Sequence, residues 1–127
     1  MKRILLLAMA SALAGCQTVP DNAAKLDVSF NFTSASRCSS VSPAITILGA
    51  PAGTAKYSVV MSDKQAPGFN HGGGTVQASG NTIQAGALKS YTGPCPPTGS
   101  HDYTISVKAL DASGAVVGAG SATRRFP

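Results

Sequence analysis

Few side chains in this sequence can do chemistry, and most of them are isolated. There are two histidines, His71 and His101, and three cysteines, Cys16, Cys38 and Cys95. His101 and Tyr103 are two apart, so on a strand they face the same side. Both can donate hydrogen bonds to an anionic oxygen, and a protonated His adds charge assistance. Asp63, His71 and His101 carry the donor types of a His-His-carboxylate metal site. Their spacing is not a local metal motif and no fourth ligand is evident, so no metal and no cofactor is expected. His71-Gly72-Gly73-Gly74 matches a glycine-rich oxyanion loop. That chemistry needs a Gly-x-Ser-x-Gly nucleophile elbow, and the sequence holds none, so the chain is not read as an enzyme.

Cys16 has a different context. Met1-Lys2-Arg3 is a basic start, and Ile4 to Ala14 is almost wholly apolar. That run is too short to cross a bilayer, which takes roughly 20 residues. A charged start, a short apolar run and small residues before a cut site describe a secretory signal. The cut site, Leu13-Ala14-Gly15-Cys16, resembles the lipobox of bacterial lipoproteins. That resemblance implies a signal peptide over 1–15 and diacylglyceryl and acyl groups on Cys16. Two or more chains anchor firmly where one does not. Gln17 rather than Asp follows the cysteine, which by resemblance to enterobacterial sorting favours the outer membrane, facing the periplasm. An ordinary signal peptide ending near a cysteine is the alternative.

With Cys16 assigned to lipid, Cys38 and Cys95 remain. In an oxidising compartment an even remainder reads as a disulfide, two free thiols being the alternative. The chain-entropy model gives such a loop roughly 4 kcal/mol of stabilisation.

These groups need a framework, and the rest of the chain supplies a β one. The residues are 43% hydrophobic and 12% charged, with 14 Gly and no Trp. Residues 16–25 read as a polar tether and 26–127 as one small domain. Leu26, Val28, Phe30 and Phe32 alternate with polar residues, the pattern of a half-buried strand. Ala44–Leu48, Lys56–Ser62, Thr75–Ala78, Thr82–Ala85, Tyr103–Leu110 and Ala115–Ala122 are the other predicted strands. Tyr57, Val59 and Met61 share one face, as do Tyr103, Ile105, Val107 and Ala109. Tyr91–Ser100 holds three prolines and reads as a stiff loop. Tyr91 is either a pocket wall or a surface ring, and Arg124-Arg125 a solvated tail or a lipid-headgroup contact. Short strands at spacings near ten predict a small antiparallel β-sandwich. The formal charge of +5 is scattered and has no aromatic interleaving, so nucleic acid is not an expected partner.

Four loop segments in order resemble the phosphatidylethanolamine-binding proteins, the family of the Raf kinase inhibitor proteins and their bacterial relatives. Cys38-Ser39-Ser40-Val41-Ser42-Pro43 is similar to a Cys-containing turn ending in Ser-Pro. Asp63-Lys64-Gln65-Ala66-Pro67 fits Asp-Pro-Asp-Ala-Pro at its first, fourth and fifth positions. His71 stands at the place of the family's His-Trp. Gly93-Pro94-Cys95-Pro96-Pro97, then His101, Tyr103 and Ala109-Leu110-Asp111, is the most specific match.

The resemblance implies a sandwich of that family's type and an anion pocket for a phosphate-like or phospholipid-headgroup-like ligand. The pocket roles fall on Asp63, His71, His101 and Tyr103, with Asp63 placed to orient a His ring. Lys64 and Gln65 depart from the pattern, and Gly72 replaces Trp, which removes one expected wall. Only 21 residues separate His71 from Gly93, and the family's C-terminal helix has no counterpart. Two other functional readings are a structural or interaction lipoprotein on an immunoglobulin-like or fibronectin-like sandwich, and a protease or kinase inhibitor.

Overall fold

A computed structural model describes residues 17–127. The signal peptide over 1–15 and the lipidation at Cys16 lie outside the described residues.

The described residues form eight strands in two sheets. They are β1 (Ala24–Lys25), β2 (Asp27–Ser29), β3 (Ile45–Leu48), β4 (Thr54–Asp63), β5 (Gly73–Gln77), β6 (Thr82–Ile83), β7 (His101–Asp111) and β8 (Val116–Phe126). One sheet has the order β1-β8-β7-β4-β5, the other β2-β3-β6. A short 3-10 turn, Ser34–Ser36, lies between β2 and β3. This is the mainly β sandwich expected, and β8 closes the described chain without a following helix.

Alternation built the core. Tyr57, Val59 and Met61 of β4 and Tyr103, Ile105, Val107 and Ala109 of β7 point inward and are buried. Val28, Ile45, Ile47 and Ile83 of the smaller sheet meet them. Each of these side chains follows the period of two that a one-sided strand needs. β4 and β7 pair antiparallel, with Val59 opposite Val107 and Asp63 opposite Tyr103. Asp63 therefore continues the inward row of β4, and His101 begins the inward row of β7.

Three expectations are corrected. The sandwich is not purely antiparallel: Ala24 and Lys25, read as the end of a tether, pair parallel with Gly118 and Ala119 of β8. Arg124 and Arg125 belong to a strand rather than a tail, because β8 stays paired with β7 as far as His101 and Phe126, although the Arg125 side chain remains exposed. The Arg124 guanidinium lies 5.6 Å from the Phe30 ring centre, and Arg125 Nη1 lies 3.3 Å from Asp102 Oδ1. Tyr91 is a buried ring rather than a surface one. The small residues of β8 have a packing cause. A Cβ on Gly120 would come within 2.2 Å of the Leu26 carbonyl oxygen, so only glycine lets the incoming chain cross there.

The expected disulfide is formed between Cys38 and Cys95, with Cα atoms 4.7 Å apart. It joins the β2–β3 connection to the proline loop before β7.

Candidate functional site

At one end of the sandwich the two inward rows stop being apolar. Asp63 ends the row of β4 and is 4% exposed. Its Oδ1 accepts from the backbone N–H groups of Gln65 and Ala66 at 2.9 and 3.2 Å. Its Oδ2 lies 2.6 Å from His101 Nδ1. Burial opposes ionisation of Asp63. The hydrogen bond from His101, the two amides and the charge on the His101 ring outweigh it, holding the carboxyl below the ordinary aspartate value of 3.8. Three donors fix the buried carboxylate in place, and its Oδ2 orients the His101 ring.

Gln65 fixes the loop that carries this carboxylate. Its side-chain Nε2 donates to Asp102 Oδ2 at 2.9 Å, and its Oε1 accepts from the Asp102 N–H at 2.7 Å. The departure from the family's Asp at this position thus replaces a carboxylate with an amide that can bond both ways. It ties the Asp63 loop to the residue between His101 and Tyr103.

His71 arrives from the other side. Its Nδ1 lies 2.8 Å from the Thr92 carbonyl oxygen, and the Thr92 N–H donates back to the His71 carbonyl at 2.9 Å. A carbonyl only accepts, so Nδ1 carries the hydrogen and Nε2 is the ring's remaining polar atom. The same reasoning applies to His101, whose Nδ1 is engaged by Asp63. Both rings pack against Tyr103, with centroids 5.3 Å away for His71 and 6.3 Å for His101. Tyr103 itself is 1% exposed. Burial and the neighbouring Asp63 carboxylate push its phenol up.

His71, His101, Asp63, Ala66, Phe69, Cys95 and Pro97 line one concavity of about 350 Å³, near the lower end of the range for small-molecule sites. The fold therefore brings together Asp63, His71 and His101, while Tyr103 backs the two imidazoles instead of lining the cavity. Among the described residues no group of three His, Cys, Asp or Glu side chains is arranged to hold a metal ion.

The wall expected to be missing at Gly72 is supplied by Phe69. Its ring lies 4.5 Å from that of His71, and the residue is 52% exposed at the cavity mouth. No larger residue fits at position 72. Gly72 has φ +68, and a Cβ there would approach the Ser90 carbonyl oxygen to 1.7 Å. Sequence reasoning missed Phe69, Thr92 and the wall role of Cys95. A lone large aromatic in the small-residue loop 66–74 was the only signal for the first.

A larger concavity of about 660 Å³ lies against β2 and β3, lined by residues such as Asn31, Thr33, Ser39, Val41 and Thr46. It has no charged or imidazole group on its wall, so the smaller cavity is the chemically equipped one.

Comparison with known proteins agrees with this architecture. The family model described as Phosphatidylethanolamine-binding protein matches residues 17–126. The fold is similar to the crystal structure of a homologue of that family from Chlamydia trachomatis. The TM-score is 0.62 at 16% identity, over 84% of this chain and 98% of that one. At that identity the likeness is one of fold, and it sets aside the immunoglobulin-like and fibronectin-like alternatives. No curated protein matches the chain. With its sandwich of this type and a match spanning almost all the described residues, the chain belongs to the phosphatidylethanolamine-binding protein family.

Proposed function

We propose that this protein is a non-catalytic binding protein that takes a small oxyanion, a phosphate monoester or headgroup-like phosphate, between His71 and His101. One observation carries the reading. Each imidazole spends its Nδ1 on the protein, on the Thr92 carbonyl and on Asp63, and each lines the same cavity. That leaves Nε2 of both rings for a ligand: with Nδ1 donating, Nε2 of a neutral ring accepts, as from the P–O–H of a phosphate monoester, and it donates to an anionic oxygen when the ring is protonated. The Asp63 carboxylate holds the His101 ring in place beside the cavity. Phe69 and Pro97 then cover the apolar part of the ligand. The family's generally non-catalytic character agrees with binding rather than turnover.

Membrane anchoring through Cys16 belongs to the same proposal, supported by Leu13-Ala14-Gly15-Cys16. Gln17, the next residue, is tied to the far end of the sandwich. Its side chain donates to the Gly114 carbonyl, and its own carbonyl accepts from Lys108 Nζ at 2.6 Å. The anion cavity is at the opposite end of β7, roughly 30 Å away at strand rise. A lipid on Cys16 thus holds the cavity facing away from the membrane that carries it, into the periplasm under the outer-membrane reading.

NMR titration of the two imidazoles with inorganic phosphate and with phosphoethanolamine tests the site. Saturable shifts of both rings are expected, and no movement at millimolar ligand ends the reading. The mass of the mature protein tests the lipid. A second reading, docking of a protein partner as an inhibitor would, draws on the half-exposed Phe69 at the mouth. It predicts that Phe69→Ser abolishes capture of a specific periplasmic protein.

A further inference from the structure

We propose that the Cys38–Cys95 disulfide is a thiol-exchange site whose redox state sets the shape of the anion cavity. Its coupling to ligand rests on the function proposed above, whereas its reactivity does not.

Three independent features point to exchange. Cys38 and Cys95 are both exposed residues, on a surface that an attacking thiolate can approach. Cys38 has φ +52, and it is the one non-glycine in the left-handed region among the described residues. That backbone state is disfavoured for a residue with a Cβ. Cys95 is also a wall residue of the cavity, which it lines together with Pro97 and the two imidazoles.

The surroundings confine the effect of reduction. The Cys38 N–H donates to the Pro94 carbonyl at 2.9 Å, and the Gly93 N–H to the Ser39 carbonyl at 2.8 Å. These backbone bonds keep the two segments paired without the covalent link. Pro94, Pro96 and Pro97 restrict the loop's φ angles, so it shifts as a stiff piece. Breaking the sulfur link frees Cys95 and the wall it forms while the sandwich remains.

The chemistry needs only a dithiol. One thiolate of the reductant attacks Cys95 Sγ, forming a mixed disulfide and releasing the Cys38 thiolate, which takes a proton. The second thiol, as its thiolate, then attacks the reductant's own sulfur in that mixed disulfide. Cys95 leaves as a thiolate and is protonated. Two electrons and two protons pass to the protein, and the reductant ends as a disulfide. Linkage makes the consequence reciprocal. If the oxidised form binds the anion more tightly, the bound anion disfavours reduction by the same factor.

The test treats the purified full chain with dithiothreitol in native buffer. Thiols are counted, secondary structure is followed by circular dichroism, and the His71 and His101 ring signals by NMR. Two new thiols per chain, an unchanged sheet spectrum and displaced imidazole signals are expected. Phosphate affinity should fall on the order of fivefold and return on reoxidation, and phosphate should protect the disulfide from reduction. The Cys38→Ser/Cys95→Ser double variant should show the reduced ring signals and ignore dithiothreitol. If that variant does not fold, reduction of the natural chain still decides the matter. A disulfide that yields only in denaturant overturns the proposal, as does loss of the sheet spectrum in step with reduction, or imidazoles that do not move. If the oxidised chain binds no phosphate while reduction still displaces both rings, the anion reading fails and the exchange site stands.

Discussion

Asp63 and His101 end the inward-facing rows of two adjacent strands, and their side chains meet with Oδ2 2.6 Å from Nδ1. The pair sits where β4 and β7 run out of apolar residues, against the cavity and above Tyr103. It is a polar cap on the core as well as the device that orients an imidazole.

Replacing Asp63 with Asn keeps the shape and removes the charge. Its amide faces Nδ1 and forces the ring into the tautomer that lacks a proton there. A loss of about 2 kcal/mol is expected, as for a hydrogen bond to a charged group. The Asp63 carboxyl titrates below 3.8 in the folded protein. Its contribution is therefore complete above that value and is lost as pH falls through the lower folded value. Urea midpoints measured across acid pH should show this loss in the natural chain and a flatter profile in Asp63→Asn.

His71→Asn separates binding from folding. An amide N–H can replace Nδ1–H as donor to the Thr92 carbonyl, while nothing replaces Nε2. Phosphate affinity should drop about tenfold, while the thermal midpoint falls only by the packing lost when the buried ring is shortened. A variant that melts much earlier and binds normally would contradict the geometry assigned to His71.

Gly72 and Gly53 both have left-handed φ, but their surroundings differ. A Cβ at Gly72 meets the Ser90 carbonyl oxygen at 1.7 Å, and one at Gly53 meets nothing within 4 Å. Gly53→Ala should cost about 1–2 kcal/mol, the backbone term alone. Gly72→Ala should cost over about 3 kcal/mol and disturb the His71 ring signal, since the two residues are adjacent. Denaturant unfolding of the two variants side by side checks the difference.

Tyr91 is buried, and its hydroxyl has no hydrogen-bond partner among the described residues. Burial first, and then the nearby Tyr103, push its phenol up to about 12. The folded value exceeds the ordinary 10.0, so the stability tied to the neutral phenol is intact below 10.0 and is lost as pH rises through about 12. Tyr91→Phe should be neutral or stabilising by about 1 kcal/mol at neutral pH. It should also remove part of the alkaline loss, read from unfolding midpoints over that window.

Much of the framework was legible residue by residue. Alternation in Tyr57–Met61 and Tyr103–Ala109 marks inward rows because a strand's side chains change face at every step, which is a local property. Gly93-Pro94-Cys95-Pro96-Pro97 and the order of four loop segments identified the family, and the leftover cysteines named their own partner. β8 was read too short because Arg124 and Arg125 look like a polar end, and nothing local reports that β7 pairs with them. The parallel contact of Ala24–Lys25 with β8 was hidden for the same reason. The meeting of Asp63, His71 and His101, the use of Thr92 to hold one ring, and Phe69 standing in for an absent Trp were decided only by tertiary structure. The two hydrogen bonds that set the imidazoles join residues far apart in the chain, with separations of 21 for His71–Thr92 and 38 for Asp63–His101. Pattern within a segment says which face a side chain takes. Which distant face it meets depends on how the sheets close and on backbone turns such as that at Gly72, whose geometry is set by the neighbours it must avoid.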